Sequence, residues 1–429
     1  MRRLRPLFTV LLILGCGLAI CATSALARSR RPHPRAHAAA VNTLRRSLNA
    51  GMRQAGAYSG TYVVDLTTGQ TLYGHNARTG RLPASVEKLY TTTTALERFG
   101  PNATLTTGVL GSGQMQGGTY VGTLYLRGGG DPTFGAASFD SANYGTGATI
   151  QQLVANLVAA TGMRAFRGRI VADESVFDSD RGTPGTGNRP SIWMEGELSG
   201  LAFDRGWYNL SGTVYDTHPA LDAGLELATT LKAAGVRLLG GTHVGAGRTP
   251  VTAAPLAQVA SPPIATLLAL TNTPSDNFFA EMLLKDLGAR FGAGGTTAAG
   301  VAVVRAQIAH DIGLHPRFND GSGLSRYDRT TPYQVVTLLR HMAGNPQFTD
   351  SLPIAGETGT LRHEMNHTFA QGRCRGKTGT LSDASNVAGY CRARDGHTLA
   401  YAVLMNGINP NYAHPIQDRM IVSIARYDG

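Results

Sequence analysis

RHEMNHTFAQGRCRGKTGTL, residues 362–381, can be read in two ways that lead to different folds. As a helix, His363-Glu364-Met365-Asn366-His367 spells H-E-x-x-H, which sets two histidines on one face for zinc. As a turn entering a strand, it delivers Lys377-Thr378-Gly379-Thr380 to a sheet. The helical reading needs a regular helix and a third ligand. Only about two turns of chain remain before Gly372, and Ala370 stands where the G-x-x-H extension would need glycine. With 12 histidines in the chain, one such match is unsurprising. The downstream residues favour the strand. GRCRGKTGTLSDASNVAGYCRARDGHTLAYAVLMNG (372–407) divides into three β-type runs joined by turns, before a closing helix at PIQDRMIVSIARY (415–427). The strand reading is adopted, with no metal or other cofactor.

Working outward, long apolar helical patterns precede these strands: SPPIATLLALTNTPSDNFFAEMLLKDLG (261–288), GVAVVRAQIAHDIG (300–313) and TPYQVVTLLRHMAG (331–344). Near the start, a helix is expected from about Ala40 to Gly56. SGTYVVDLTTG and QTLYGHNA follow as a hairpin turning at Thr68-Gly69. PASVEKLYTTTTALERFG reads as a helix, with Pro83 just outside its start and Gly100 just past its end. Between residues 104 and 261 the texture changes. Short strands (GTLYLRG, RGRIVAD) alternate with helices (ATIQQLVANLVAATG, LDAGLELATTLKAAG), the pattern of a separate α/β unit. The expected fold class is therefore α/β in the α+β sense. Residues 40–103 and 262–429 form an antiparallel sheet flanked by helices, and residues 104–261 are inserted into it.

Composition limits the function. The chain has 429 residues, 42% hydrophobic and 16% charged, enough for two or three packed units. Its net charge of +11 suggests nucleic acid until it is located. Arg2, Arg3, Arg5, Arg28, Arg30, Arg31 and Arg35 supply seven of those charges, and no acid occurs in residues 1–36, so the body is only +4. Without aromatic–basic stacking motifs, no nucleic-acid partner is expected. MRRLRP, the apolar LFTVLLILGCGLAICA and Ala25-Leu26-Ala27 make a secretory signal peptide, 1–27, cut after Ala27. The apolar run is too short to span a bilayer comfortably, so no stable anchor is expected after cleavage. Residues 28–39 read as a flexible basic linker. The chain is expected outside the cytoplasm, in the periplasm or extracellular cell envelope. Cys16 and Cys21 leave with the signal, and the remaining Cys374 and Cys391 invite one disulfide. A hairpin turning between Leu381 and Asn386 that sets Cys374 opposite Cys391 also sets Lys377 opposite Ala388.

Three short motifs carry the chemistry. In Ser85-Val86-Glu87-Lys88, residues three apart share a helix face, so a neutral Lys88 amine can activate the Ser85 hydroxyl. A serine at a helix start is otherwise simply a cap. In Ser275-Asp276-Asn277, a hydroxyl can relay a proton, and an amide can hold a substrate carbonyl while donating to a lysine. PSDN is otherwise a capping turn. In Lys377-Thr378-Gly379-Thr380, the lysine offers charge to a carboxylate and Gly379 lets a substrate backbone come close. Thr380 offers a backbone N–H to an oxyanion.

S-x-x-K, S-D-N and K-T-G in this order are the signature of class A β-lactamases and penicillin-binding proteins. The chain most resembles the low-molecular-mass class C penicillin-binding proteins, the D-alanyl-D-alanine carboxypeptidase/endopeptidase family. Ser85 and Ser275 are separated by roughly 190 residues, a gap like that family's inserted domains. YLRGGGDPT, GRIVADESVF, NDGSGLSRYDRTTP, LPIAGETGTL and GRCRGKTGTLSDASNVAGY also look alike. The insert is short for the family, which leaves open whether both of its nested lobes are kept. The resemblance implies Ser85 as acylated nucleophile, Lys88 as its base and Ser275 as proton relay to the leaving D-alanine. It implies Asn277 on the acyl-side amide, Lys377 and Thr378 on the terminal carboxylate, and an oxyanion hole from the N–H groups of Ser85 and Thr380. Asp173 is the insert acid that could meet the amino end of a stem peptide, and equally a strand-end turn residue. The expected function is a serine-type D-Ala-D-Ala carboxypeptidase, with D,D-endopeptidase action on cross-links as an extension. Its partners would be peptidoglycan stem peptides, with β-lactams as covalent inhibitors. The alternatives are a β-lactamase or esterase of the same fold, or a non-catalytic peptidoglycan-binding scaffold.

Overall fold

The computed structural model describes residues 34–209 and 212–429. The expected signal peptide, with Cys16, Cys21 and the Ala25-Leu26-Ala27 site, lies outside the described residues. No helix among the described residues is long and apolar enough to cross a membrane.

The first helix, α1, spans Pro34–Ala55. It begins six residues before the expected Ala40, within the stretch read as flexible linker. Proline suits a first helical turn, where its missing N–H costs nothing, and the alanines that follow favour helix. Then come β1 (Ser59–Asp65), β2 (Thr71–His75) and α2 (Lys88–Phe99). The inserted region holds β3 (Thr106–Gln116), β4 (Thr119–Arg127), α3 (Ala137–Asn143), α4 (Ile150–Thr161), β5 (Ala165–Asp173), α5 (Pro219–Ala233), β6 (Arg237–Ala246) and β7 (Ala254–Ala260). The chain returns through α6 (Ile264–Asn272), α7 (Asn277–Phe291), α8 (Thr297–Ile312), α9 (Pro332–Met342) and α10 (Pro346–Asp350). It closes with β8 (Cys374–Leu381), β9 (Ala384–Arg392), β10 (Thr398–Asn406) and α11 (Pro410–Ala425).

Two five-stranded sheets result, in the orders β2-β1-β10-β9-β8 and β6-β5-β4-β3-β7. The first is antiparallel throughout. Both of its faces are covered. Val63, Val387, Tyr401 and Val403 pack with α1 and α11, while Ala388, Ala400, Ala402 and Leu404 pack with the layer holding α2, α7 and α9. That double coverage explains why β10, and β9 from Val387 to Cys391, read as apolar runs rather than alternating ones. In the β8–β9 pairing Cys374 faces Cys391 and Lys377 faces Ala388, and the two cysteines form a disulfide. Cys374 lies on the α1–α11 side. Lys377, an odd number of residues along the strand, points to the other face.

The second sheet is mixed: β4, β5 and β6 run parallel, and β3 is antiparallel to β4 and β7. Its helix-covered face packs on α4 and α5 around Leu124, Phe166, Ile170 and Leu227. The segment between β5 and α5 does not stay with this sheet. Phe177, Met194, Leu198 and Ala202 insert into the main core beside Phe278 and Met282 of α7. The insert therefore sends one excursion back to the helical layer, next to the start of α7.

Candidate functional site

Ser85 sits on a 3-10 turn, Ala84–Glu87, that runs directly into α2. Ala84 has φ of 47°, a left-handed conformation that costs a non-glycine residue roughly 1–3 kcal/mol. The surroundings impose it. Asn386 on β9 donates its amide to the carbonyls of Leu82 (2.9 Å) and Pro83 (2.8 Å). Asn406 on β10 accepts the Leu82 N–H at 2.8 Å. Gly379 backs the turn from β8, where an added Cβ would meet the Pro83 carbonyl at 2.7 Å and the Ser85 N–H nitrogen at 2.9 Å. On its Cβ side, the room left by Gly379 is thus filled by the turn that carries Ser85.

Lys88 is fully buried, and its Nζ has three partners. These are Ser85 Oγ at 2.8 Å, Asn277 Oδ1 at 2.6 Å and the Ser322 carbonyl at 2.9 Å. A neutral amine has two N–H donors and one lone pair. The two carbonyl oxygens can only accept, so they take the two N–H bonds and leave the lone pair for the Ser85 O–H. The expected direction of the Asn277 contact is reversed: Lys88 donates to it. The Asn277 Nδ2 donates instead to the Trp193 carbonyl at 2.6 Å, and its N–H to Glu195 Oε2 at 2.9 Å.

Burial shifts Lys88 toward the neutral form. Burial lowers the Lys88 pKa from 10.5 to about 8, against the opposing charges of Glu195, Asp276, Glu281 and Asp320. Beneath it lie carboxyls that are themselves pushed toward neutrality. Burial and then Asp320 raise Glu281 to about 8, and burial with Asp328, Asp320 and Glu281 holds Glu87 well above the usual range. Glu281 Oε1 accepts the N–H groups of Gly321 (2.9 Å) and Ser322 (2.8 Å), fixing the loop whose carbonyl receives Lys88. Lys377 is also fully buried, and burial followed by Lys88 lowers its pKa well below the ordinary value. An arriving carboxylate would reverse that shift by pairing with the ammonium.

Ser275 has φ of 72°, immediately before α7. Asp276 caps that helix, accepting the Phe279 N–H at 2.9 Å, and is held by Arg205 at 2.6 Å. Ser85, Ser275, Asn277, Thr378, Thr380 and Glu195 all line one cavity of about 290 Å³. A second opening of about 680 Å³ shares Ser85, Asn277 and Thr380 and is bordered by Trp193 and Arg326. Thr378 Oγ1 donates to Thr360 Oγ1 at 2.7 Å. The structure therefore brings the three motifs to one place, with the two lysines beneath and the hydroxyls exposed to the cavity.

Asp173 stands apart. It is buried at the end of β5, and its oxygens accept the N–H groups of Ser175 (2.9 Å) and Thr249 (2.7 Å). Burial alone would raise its pKa, but these hydrogen bonds outweigh it and hold the carboxyl below its ordinary value. Three acids do border the cavity, Glu195, Glu364 and Asp418, and of these Glu195 lies on the excursion from the insert, with Trp193 and Arg205. No spacing to the three motifs marks them in sequence. The H-E-x-x-H stretch has no helix: residues 362–373 are turns, and Met365 and His367 have φ of 58° and 57°. Its histidines do not share a helical face.

The family described as D-Ala-D-Ala carboxypeptidase 3 (S13) matches residues 43–210 and 207–427. The chain is 30% identical to a D-alanyl-D-alanine carboxypeptidase of Actinomadura sp. (strain R39), over 87% of this chain and 82% of that one. It is 30% identical to Carboxypeptidase DacB of Mycolicibacterium smegmatis, over 81% and 76%. Penicillin binding protein 4 (dacB) from Haemophilus influenzae superimposes with a TM-score of 0.74 at 18% identity, covering 89% of this chain and 99% of that one.

Proposed function

The chain belongs to the D-Ala-D-Ala carboxypeptidase 3 (S13) family of peptidases, and from that premise we propose how its own residues hydrolyse a D-alanyl-D-alanine end. Ser85 Oγ attacks the carbonyl of the penultimate D-alanine while the Lys88 lone pair takes its proton. The N–H groups of Ser85 and Thr380 receive the oxyanion, each worth roughly 3 kcal/mol of barrier. The amide C–N bond breaks, and Ser275 passes the proton from Lys88 to the departing amine. An ester on Ser85 remains. Water, deprotonated by Lys88, then releases the acid and restores the serine. Lys377 and Thr378 hold the terminal carboxylate, and Asn277 faces the acyl-side amide.

The observation that carries this reading is the three-way contact of the buried Lys88, in which two carbonyl acceptors leave the lone pair for Ser85 once the amine is neutral. The substrates in this proposal are peptidoglycan stem peptides, met outside the cytoplasm after cleavage of the N-terminal signal, with β-lactams as covalent inhibitors. Cross-linked peptides are a further substrate, reached through the wider opening beside Trp193. Nucleic acid has no part in it, and no membrane anchor is invoked. Mass spectrometry of a defined stem peptide and its cross-linked dimer tests the proposal. Release of D-alanine from the first is required, and an unaltered pentapeptide at high enzyme concentration would refute it.

A further inference from the structure

Charge in the body of this chain is segregated. The segments that build the second sheet, residues 104–130, 164–173 and 232–260, contain seven Lys and Arg and one acid, Asp173, which is bound to backbone N–H groups. Residues 37–429 hold 32 basic and 28 acidic residues, so outside those segments the body holds 25 basic and 27 acidic residues and is net −2. The helices α4 and α5 cover one face of this sheet. The other face carries only a small apolar cluster of Tyr125, Val171 and Ala253 with Leu110.

Four of these arginines lie on that uncovered face. Arg127 follows Tyr125 by two residues on β4, and Arg167 and Arg169 precede Val171 at the same parity on β5, so all three point away from the helices. Arg248 lines a cleft of about 480 Å³ together with Arg169, His243 and Tyr125. Arg127 lines a second cleft, of about 490 Å³, with Leu110 and Arg290. Arg127, Arg167, Arg169 and Arg248 are exposed, and among the described residues none of their guanidinium groups makes a hydrogen bond or ion pair. Elsewhere, Arg181, Arg205, Arg326 and Arg375 are paired with carboxylates. Guanidinium groups match phosphate oxygens in a bidentate geometry.

We propose that this face of the inserted sheet is a docking surface for a phosphodiester-linked polyol polymer of the cell envelope. It would hold the enzyme near its substrate while leaving the Ser85 cavity open. Two separate arginine-lined recesses suit a flexible chain that seats its phosphates one at a time. A planar anionic bilayer suits them less, and the one fully exposed apolar side chain on the β6–β7 connection, Val251, is too little surface to bury in it. Binding itself stands on the arginines alone, whereas its place near the substrate rests on the proposed function.

Binding of the full chain to polyglycerol phosphate tests it, with phosphatidylglycerol vesicles and unphosphorylated polyol as comparison arms. Four arginine–phosphate contacts predict a salt slope of about −2.8, so affinity should fall about fiftyfold between 50 and 200 mM salt. The Arg167→Ser, Arg169→Ser, Arg248→Ser variant should bind at least tenfold more weakly at 50 mM salt and keep wild-type penicillin labelling. If that variant loses labelling, Arg169→Ser alone should flatten the slope by about 0.7. Absent binding of the polymer, unchanged binding by the variants, or binding to vesicles alone would overturn the proposal.

Discussion

Lysine is a base only when neutral, so the pH dependence of serine acylation reads the state of Lys88 directly. A lysine at its ordinary 10.5 would be neutral in about one molecule in 3,000 at pH 7. At about 8 it is neutral in about one in eleven, a gain of nearly 300-fold, worth about 3 kcal/mol. Because the folded environment lowers this pKa, activity rises with pH and levels off above the shifted value. The second-order rate constant for acylation by a penicillin should therefore rise about tenfold from pH 6 to 7, about fivefold from 7 to 8, and less than twofold from 8 to 9. Glu195→Gln refines the test. Glu195 is the leading charge that holds Lys88 protonated, and glutamine keeps an oxygen for the Asn277 N–H. The acid limb should move to lower pH in this variant, raising the rate at pH 6.5. Stopped-flow acylation with a chromogenic penicillin measures both profiles. A flat profile between pH 6 and 9, or a limb moved to higher pH by Glu195→Gln, would refute the assignment of Lys88 as the base.

Three further outcomes rest on individual contacts. Glu281→Ala frees the Gly321 and Ser322 N–H groups, so the acceptor for Lys88 drifts. Acylation should slow by roughly 10² with inhibitor affinity unchanged, and Glu281→Gln, which keeps an acceptor oxygen, should restore most of it. Gly379→Ala puts a methyl against Pro83 O and Ser85 N, and stopped-flow acylation should fall at least tenfold as the nucleophile turn is displaced. Replacing Cys374 and Cys391 by serine opens a link across 17 residues and should lower the unfolding free energy by about 3 kcal/mol in denaturant titration, with penicillin labelling retained.

The parts of the site legible in sequence are those whose spacing repeats a local geometry. Ser85 and Lys88 are one helical turn apart, and Lys377-Thr378-Gly379 belongs to a strand whose partner register follows from Cys374 and Cys391. The apolar runs of β9 and β10 likewise announce a sheet covered on both faces. What stayed hidden is tertiary. Glu195 and Trp193 reach Asn277 across more than 80 positions, and Ser322 reaches Lys88 across 234. Ala84 and Ser275 adopt left-handed backbone without glycine to signal it, because Asn386, Asn406 and the helix cap of Asp276 impose it from outside. Asp173 shows the converse. A strand-end acid beside a cleft in sequence terms is spent on two backbone N–H groups.

The central claim is that Ser85 is the nucleophile, and one labelling measurement addresses it. A β-lactam offers the carbonyl and carboxylate of an acyl-D-alanyl-D-alanine end, and its tethered leaving group slows the entry of water. Labelled penicillin should attach once per chain, with the adduct on the peptide that contains Ser85. Folded Ser85→Ala should take up no label, and Lys88→Ala should label 10²–10⁴ times more slowly, roughly the range for loss of a positioned base. Undiminished labelling of folded Ser85→Ala, or an adduct mapped to another residue, would contradict the account.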